Sequence, residues 1–341
     1  MRSPRAISII ALVTLGVTSY HTMTWVERES VLMGTYIRVQ LAAPDKTRGM
    51  EIIEDVFDAV RHVDALISSW RDDSELGKLN AAPADSAIPI STELYALLDE
   101  LRVWSRLTHG AFDPTIGALV DAWDMRGAGK VPDEATLNRA LTATGFEHYV
   151  LDDTRRTVTK SSQLSWIDAG AFGKGAALRA VASTLDANGV ERALVDFGGQ
   201  VLARGGPATN AAWRIGVADP LRRHRPAAYL SLRHQSAATS AQSERFLDVD
   251  GMHLGHLLDP TTGSPVDAWG SVTVVAPDPM IADILSTALF VLGPKAALRW
   301  ARPRPDIGVL IQFSNRDSVA LVGQIALQLT SGHRPARIRA P

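Results

Sequence analysis

Apolar and polar residues alternate from Thr35 through Ile37, Val39 and Leu41, the period-2 pattern of a half-buried strand, and Pro44-Asp45 closes it. The period then changes. From Met50 to Trp70 the apolar positions Ile52, Ile53, Val56, Phe57, Val60, Val63 and Ile67 recur at helical spacing, which predicts an amphipathic helix with a charged outer face. Thr92 to Thr108 predicts a second helix, buried along Leu94, Leu97, Leu98, Leu101 and Trp104, that empties into a loop at Gly110. Asp133 to Thr144 reads as a further short helix, and Val150 to Trp166 as a β-hairpin around Asp152-Asp153 and Lys160-Ser161. After Asp168 a glycine-rich turn leads into a helix and then a strand, Ala193 to Phe197. The second half predicts strands at Trp213–Val217, Tyr229–Leu232, Ser271–Ala276, Asp306–Phe313 and Ser318–Leu329. One strong helix interrupts them, with Asp278 suited to the N-cap, Pro279 to the first helical position and Gly293-Pro294 to its end. Hairpin-like strands with separated helices imply an α+β fold with a largely antiparallel β core, not a regular βαβ winding.

Composition narrows the classes of function. The chain has 341 residues, 46% of them apolar, enough for a sizeable core, and disorder as the main state is excluded. Lys+Arg 35 against Asp+Glu 37 gives a formal charge of −2, so no net positive field favours nucleic acid. With Cys 0, disulfides, zinc-thiolate sites, iron–sulfur clusters and cysteine nucleophiles are excluded, and any metal must bind through oxygen or imidazole.

The N-terminus reads separately. Met1 to Arg5 carries two arginines and Ala6 to Val17 is almost wholly apolar, the pattern of an export signal. It is shorter than the roughly 20 apolar residues that span a bilayer core. Cleavage and retention as an inner-membrane anchor both stay open, but a lipid-modified cysteine is impossible. The expected organisation is an export signal or anchor over 1–23, one domain over 24–330 and a loose Arg- and Pro-rich tail over 331–341, working in the periplasm or on the periplasmic face of the inner membrane.

Several segments carry chemistry. Asp283 and Thr287 stand four residues apart near the start of the strong helix, so a carboxylate and a hydroxyl share one face. That pair suits Mg²⁺; it equally suits a helix-dipole partner and a back-bonded threonine. Asp168-Ala169-Gly170-Ala171-Phe172-Gly173-Lys174-Gly175 opens a helix whose free N–H groups and lysine favour an anion, while its glycines also fit tight strand–helix packing. The spacing matches neither a P-loop nor a dinucleotide-binding fingerprint. Asp113 in Thr108-His109-Gly110-Ala111-Phe112-Asp113-Pro114 can accept from a ligand or cap the next segment, and His256 before Asp259-Pro260 is a titratable group or a structural donor.

Taken in order, Met33-Gly34-Thr35, Ser74-Glu75-Leu76 ending in Asn80, Gly110 to Asp113, Asp168 to Gly175, Gly198-Gly199, His256 to Gly263 and Asp283 to Thr287 resemble the ApbE family, the FAD:protein FMN transferases. The resemblance covers roughly Val31 to Gly293. It implies an ApbE-like, T-fold-like α+β fold, FAD as substrate, Mg²⁺ beside the diphosphate, and transfer of FMN to a Thr or Ser hydroxyl of an acceptor flavoprotein with release of AMP. A metal-dependent FAD pyrophosphatase or a non-catalytic flavin-binding protein are the alternatives.

Carried over by motif, Met33 and Trp70 line the flavin or adenine pocket, and Trp70 stands where a Tyr is common. Ala111, Phe112 and Asp113 form an FAD-contacting loop, Asp168 and Lys174 are further FAD contacts, and Leu258 is a pocket residue. The metal set is the Ala171 carbonyl with Asp283 and Thr287, and Ser286 takes a place where some relatives carry Asp. Lys174 supplies a second cation, Asp283 holds the catalytic metal, and His256 is the candidate base because its ordinary pKa lies nearest working pH.

Overall fold

The computed structural model describes residues 23–222, 224–242, 246–249, 251–314, 318–330 and 334–335. The expected export segment lies outside them, apart from Met23, and so does the expected tail, apart from Arg334–Pro335.

Strands β1 (Thr24–Leu32) and β2 (Thr35–Ala43) form a hairpin around Met33 and Gly34, whose φ values of 48° and 72° make a two-residue turn of the kind that matches strand twist. The sequence pattern shows β2 but not β1, because Glu27, Arg28 and Glu29 interrupt the apolar alternation of this edge strand. Helix α1 (Lys46–Ile67) begins four residues before the expected Met50, since Asp45 accepts from the Arg48 N–H and caps it. It ends before Trp70, which therefore sits in a turn and not on the helix.

Helices α2 (Glu75–Ala81), α3 (Thr92–Leu107), α4 (Gly117–Ala122) and α5 (Glu134–Thr142) follow, with the two-residue strand β3 (Ile88–Pro89) between α2 and α3. The expected hairpin is β4 (Tyr149–Asp152) with β5 (Thr157–Lys160); residues 161–166 lie outside it. Helix α6 (Gly173–Ala187) leads to β6 (Ala193–Phe197) and β7 (Gln200–Arg204). Strands β8 (Trp213–Ala218), β9 (Pro226–Leu232), β10 (Gln235–Ala241), β11 (Phe246–Val249), β12 (Met252–Gly255) and β13 (Gly270–Ala276) precede α7 (Pro279–Ala301). The chain then makes β14 (Gly308–Phe313), β15 (Ser318–Val322), β16 (Leu327–Leu329) and β17 (Arg334–Pro335).

Among the described residues the main sheet has nine strands in the order β1-β2-β6-β7-β10-β13-β14-β15-β17, antiparallel except for the last pair. The expectation of an α+β fold with an antiparallel core is met. The single strand expected over Ser318–Leu329 is two strands in different sheets, because Gly323 at φ 75° turns the chain onto β9. The expected end of the strong helix at Gly293 is a break within α7: Gly293 takes φ 73° and Pro294 restarts the helix, which runs on to Ala301.

Two layers close on the sheet. Helices α1 and α6 bury Ile53, Phe57, Val60, Phe172 and Leu178 against Ile37, Val39 and Val195; fully burying a side chain of this size is worth about 1.5–3 kcal/mol. Helix α7 packs Leu285, Leu289 and Phe290 against Ala238, Val272 and Val274. On the opposite side β8 and β9 place Trp213, Val217 and Leu230 over Ala237, Val275 and Leu310. Covered on both faces, β13 is buried at every position, hence its nearly unbroken Val run.

Candidate active site

The site is built where α6 meets α7. Gly175 is the reason they meet so closely. A Cβ there would lie 2.6 Å from Met280 Cα, 2.7 Å from Asp283 Cβ and 2.8 Å from the Pro279 carbonyl oxygen. With no side chain, the first turn of α6 rests on the first turns of α7. There the Gly175 N–H donates to Asp283 Oδ2 at 2.9 Å, and Lys174 Nζ stands 3.5 Å from Asp283 Oδ1. Asp278 fixes the other helix start, accepting from the Met280 N–H at 2.8 Å while pairing with Arg179 on α6 at 2.8 Å.

Asp283 is 4% exposed. Burial pushes its carboxyl above the usual carboxylate range, and Lys174 and the Gly175 N–H oppose that rise. A buried carboxyl whose pKa stays raised despite one lysine and one N–H favours a further positive charge beside it. Because the Gly175 N–H goes to Asp283, no backbone N–H among the described residues donates to the Ala171 carbonyl.

The hydroxyls on α7 have different fates. Ser286 is 1% exposed, donates to the Asp283 carbonyl at 2.9 Å and lies 2.8 Å from Ser240 Oγ. With the Ser286 proton spent on the helix, Ser240 donates to Ser286, and Thr287 Oγ1, 3.4 Å from Ser240 Oγ, keeps its lone pairs uncommitted. Ser286, expected among the metal residues, makes a buried bond between α7 and β10. The remaining donors, the Asp283 carboxylate, Thr287 hydroxyl and Ala171 carbonyl, are all hard oxygens and fit Mg²⁺. Among the described residues no cluster of three or more His, Asp or Glu side chains offers a competing metal site.

Sequence reasoning missed Ser240 and Gln242 because β10 is a run of small polar residues and alanine without a hydrophobic signal. Gln242, 3% exposed, donates to the Leu257 and Val266 carbonyls at 2.9 and 2.8 Å and accepts from the Leu257 N–H at 3.0 Å. It thereby ties the His256 loop to the end of the strand that carries Ser240. His256 itself is half-buried.

A second group of residues surrounds Asp168. Asn80 brackets Ile167, donating to its carbonyl and accepting from its N–H, both at 2.9 Å, and so sets the approach to Asp168. Ser74 caps α2 and donates to the Ser68 carbonyl at 2.6 Å, which places the turn carrying Trp70. Asp168 accepts from the Gly170 N–H and from Arg126 Nη2, each at 2.6 Å. Arg126 and Trp166, neither marked by its sequence context as a site residue, join Trp70 here: the Arg126 guanidinium carbon lies 4.3 Å from the Trp70 ring centroid and 4.4 Å from that of Trp166. Met33 reaches the start of α6, its Cε 3.6 Å from where a Gly173 Cβ would be.

Four of the expected contacts are engaged within the protein itself. Phe112 is 1% exposed within the main core and Leu258 is 4% exposed in the cluster around Leu119 and Trp123. Ala111 is buried beside Phe112. Asp113 closes an Asx-turn: it takes the Thr115 N–H and hydroxyl at 2.9 and 2.6 Å and the Ser105 hydroxyl at 3.2 Å, with burial raising its pKa.

The chain is similar over most of its length to characterised proteins. It is 32% identical over 315 residues to the FAD:protein FMN transferase of Treponema pallidum, covering 87% of this chain and 86% of that one. It is 28% identical over 298 residues to the Escherichia coli FAD:protein FMN transferase, covering 85% of this chain and 84% of that one. Its fold superposes on the crystal structure of the ApbE protein from Thermotoga maritima with a TM-score of 0.79, at 28% identity, covering 90% of this chain and 97% of that one. The flavin transferase ApbE from Vibrio cholerae gives 0.76 at 26% identity, covering 91% and 98%. The ApbE family model matches residues 33–311, which include Met33, Trp70, Asp168, Lys174, His256, Asp283 and Thr287, and the chain belongs to the ApbE family.

Proposed function

We propose that this protein transfers FMN from FAD to a Thr or Ser hydroxyl of an acceptor flavoprotein and releases AMP, with Mg²⁺ as the metal. The observation that carries the reading is the junction of α6 and α7, where the buried Asp283 carboxylate lies beside Lys174 and accepts from the Gly175 N–H, one helical turn before the Thr287 hydroxyl on α7. The similarity to FAD:protein FMN transferases supplies the substrate.

The reaction joins the acceptor oxygen to the FMN-side phosphorus and breaks the bond from that phosphorus to the bridging oxygen, which leaves with AMP; the hydroxyl proton passes to a base. Asp283, Thr287 and the Ala171 carbonyl would hold Mg²⁺, which when bound neutralises charge on the diphosphate. Lys174, 3.5 Å from Asp283 Oδ1, would supply a further positive charge to the phosphate oxygens. The partial positive charge at the start of α6 adds to that of Lys174, while the Gly173 and Gly175 N–H groups are engaged by the Ala169 carbonyl and Asp283. His256, tied in place through Gln242, is the base. A general base of this kind contributes roughly 10²–10⁴ in rate.

The arginine-led apolar stretch over residues 1–17 supports placing this reaction on the periplasmic side of the inner membrane. The activity is tested by incubating the protein with FAD, Mg²⁺ and an acceptor flavoprotein. Covalent FMN on the acceptor in mass spectrometry, with AMP released, is the expected result. Free FMN and AMP without labelled protein would make the enzyme a pyrophosphatase, and bound FAD without turnover would make it a flavin carrier.

A further inference from the structure

Three layers are stacked between Gly117 and solvent. Trp166 lies flat on the backbone of Gly117, where an added Cβ would be 2.1 Å from Trp166 Cδ2. Its Nε1 donates to Asp121 at 2.8 Å, so the ring is fixed both in plane and in depth. The Arg126 guanidinium forms the next layer, 4.4 Å from the Trp166 ring centroid, and Trp70 the last, 4.3 Å from the same guanidinium carbon. Trp70 is nevertheless 67% exposed. With Arg126 against one face of the indole, the exposed surface is the opposite face.

The guanidinium cannot slide or rotate freely. Nη1 donates to the Ser69 carbonyl at 2.6 Å, and Nη2 to Ser69 Oγ at 2.8 Å and Asp168 Oδ2 at 2.6 Å. Its Nε is buried without an acceptor, so the group sits where stacking, not complete hydrogen bonding, places it. Arg126 thereby ties the turn that carries Trp70 to the Asp168 loop at the entrance to α6. An exposed indole without such backing exchanges rotamers on the ps–ns scale, and a ligand that stacks on it must first immobilise it.

We propose that Arg126 is a positioning residue for substrate binding. Backed by Trp166 and Gly117, it holds Trp70 rigid so that the outer indole face is presented, preorganised, to a flat ring of the flavin dinucleotide. Arg126 itself does not touch the dinucleotide. The role rests on the reading of FAD as substrate, and it belongs to residues 117, 126 and 166, which are far from Trp70 in the chain and adjacent to it only in the fold.

The test is a double-mutant cycle read as the dissociation constant for FAD, measured by flavin fluorescence quenching without Mg²⁺, with thermal melts to confirm folding. Arg126→Met raises Kd about tenfold in the wild-type background. In a Trp70→Ala background the same change adds less than about twofold, because the group it acts through is gone. Arg126→Lys recovers only part of the loss, since an ammonium lacks the planar fork that serves three acceptors and stacks on both rings. Gly117→Ala, which pushes Trp166 from the far side, reproduces the pattern in both backgrounds and serves if Arg126→Met does not fold. A full tenfold loss for Arg126→Met on top of Trp70→Ala means that Arg126 contacts FAD directly and overturns the assignment, as does an unchanged Kd in the single variant. Failure of the wild-type protein to bind FAD at all refutes the functional reading instead.

Discussion

Replacing Gly175 by alanine puts a methyl group 2.6 Å from Met280 Cα, 2.7 Å from Asp283 Cβ and 2.8 Å from the Pro279 carbonyl oxygen. These atoms belong to or adjoin the α7 backbone, so none can rotate away. Carbon atoms pack at about 3.5–4.0 Å, and α6 must therefore separate from α7 by roughly 1 Å. Overpacking of this kind costs about 1–3 kcal/mol, against which alanine recovers about 1 kcal/mol of helix propensity. The net loss is on the order of 1–2 kcal/mol, a fall of a few degrees in Tm. The effect on the site is larger. The separation stretches the 2.9 Å bond from the Gly175 N–H to Asp283 and moves the Ala171 carbonyl away from the α7 face that carries Asp283 and Thr287. A misplacement of about 1 Å can cost about a hundredfold in rate, so transfer should drop by that order and the Mg²⁺ requirement should rise. Gly173→Ala is the control two residues away: its Cβ would meet Ala169, Met33 and Ile67 no closer than 3.6 Å, an ordinary contact, and stability should hold. Thermal melts with and without Mg²⁺, together with transfer rates, decide the matter. Equal behaviour of the two variants, or a worse Gly173→Ala, would refute the close-approach argument.

Asp283→Asn should abolish Mg²⁺-dependent transfer while leaving the metal-free fold intact. Because burial raises the Asp283 pKa in the folded state, its contribution to metal-free stability is present below the ordinary 3.8 and is lost as pH rises through the raised value; melts against pH should show this component in the wild type and not in Asp283→Asn. Lys160 is 2% exposed and donates to the Asn80 and Ser165 carbonyls at 2.6 and 3.1 Å, so Lys160→Met leaves two buried acceptors and should cost about 1–3 kcal/mol in urea titrations. Burial lowers the Lys160 pKa, so wild-type stability should gain a rising component between that lowered value and 10.5 that the variant lacks. Asp278→Ala should lose about 1 kcal/mol of capping together with the Arg179 pair, and Asp278→Asn, which keeps the cap, should lose less; guanidinium melts distinguish them.

Much of the fold was legible where one residue type dominates a local choice. The period of Ile52 to Ile67 placed α1, Asp278 with Pro279 placed the start of α7, and Ala193 to Phe197 placed β6 at its observed ends. Strands β1 and β10 were not legible, because an edge strand tolerates charge on its open face and a strand beneath a closely packed helix needs small side chains; both erase the alternation that announces a strand.

The same division runs through the site. Helical geometry alone puts Asp283 and Thr287 on one face, and the chain order of the motifs carries the resemblance to the ApbE family. Which hydroxyl stays available was decided by β10, whose Ser240 engages Ser286, and the distinct demands on Gly173 and Gly175 by how close each lies to another element. The placement of Arg126 between Trp70 and Trp166 is likewise tertiary, since stacking carries no signature in sequence spacing. Local periodicity and capping are properties of neighbouring residues and can be read along the chain. Proton accounting, desolvation and close approach depend on distances between segments remote in sequence, and only the folded structure sets those.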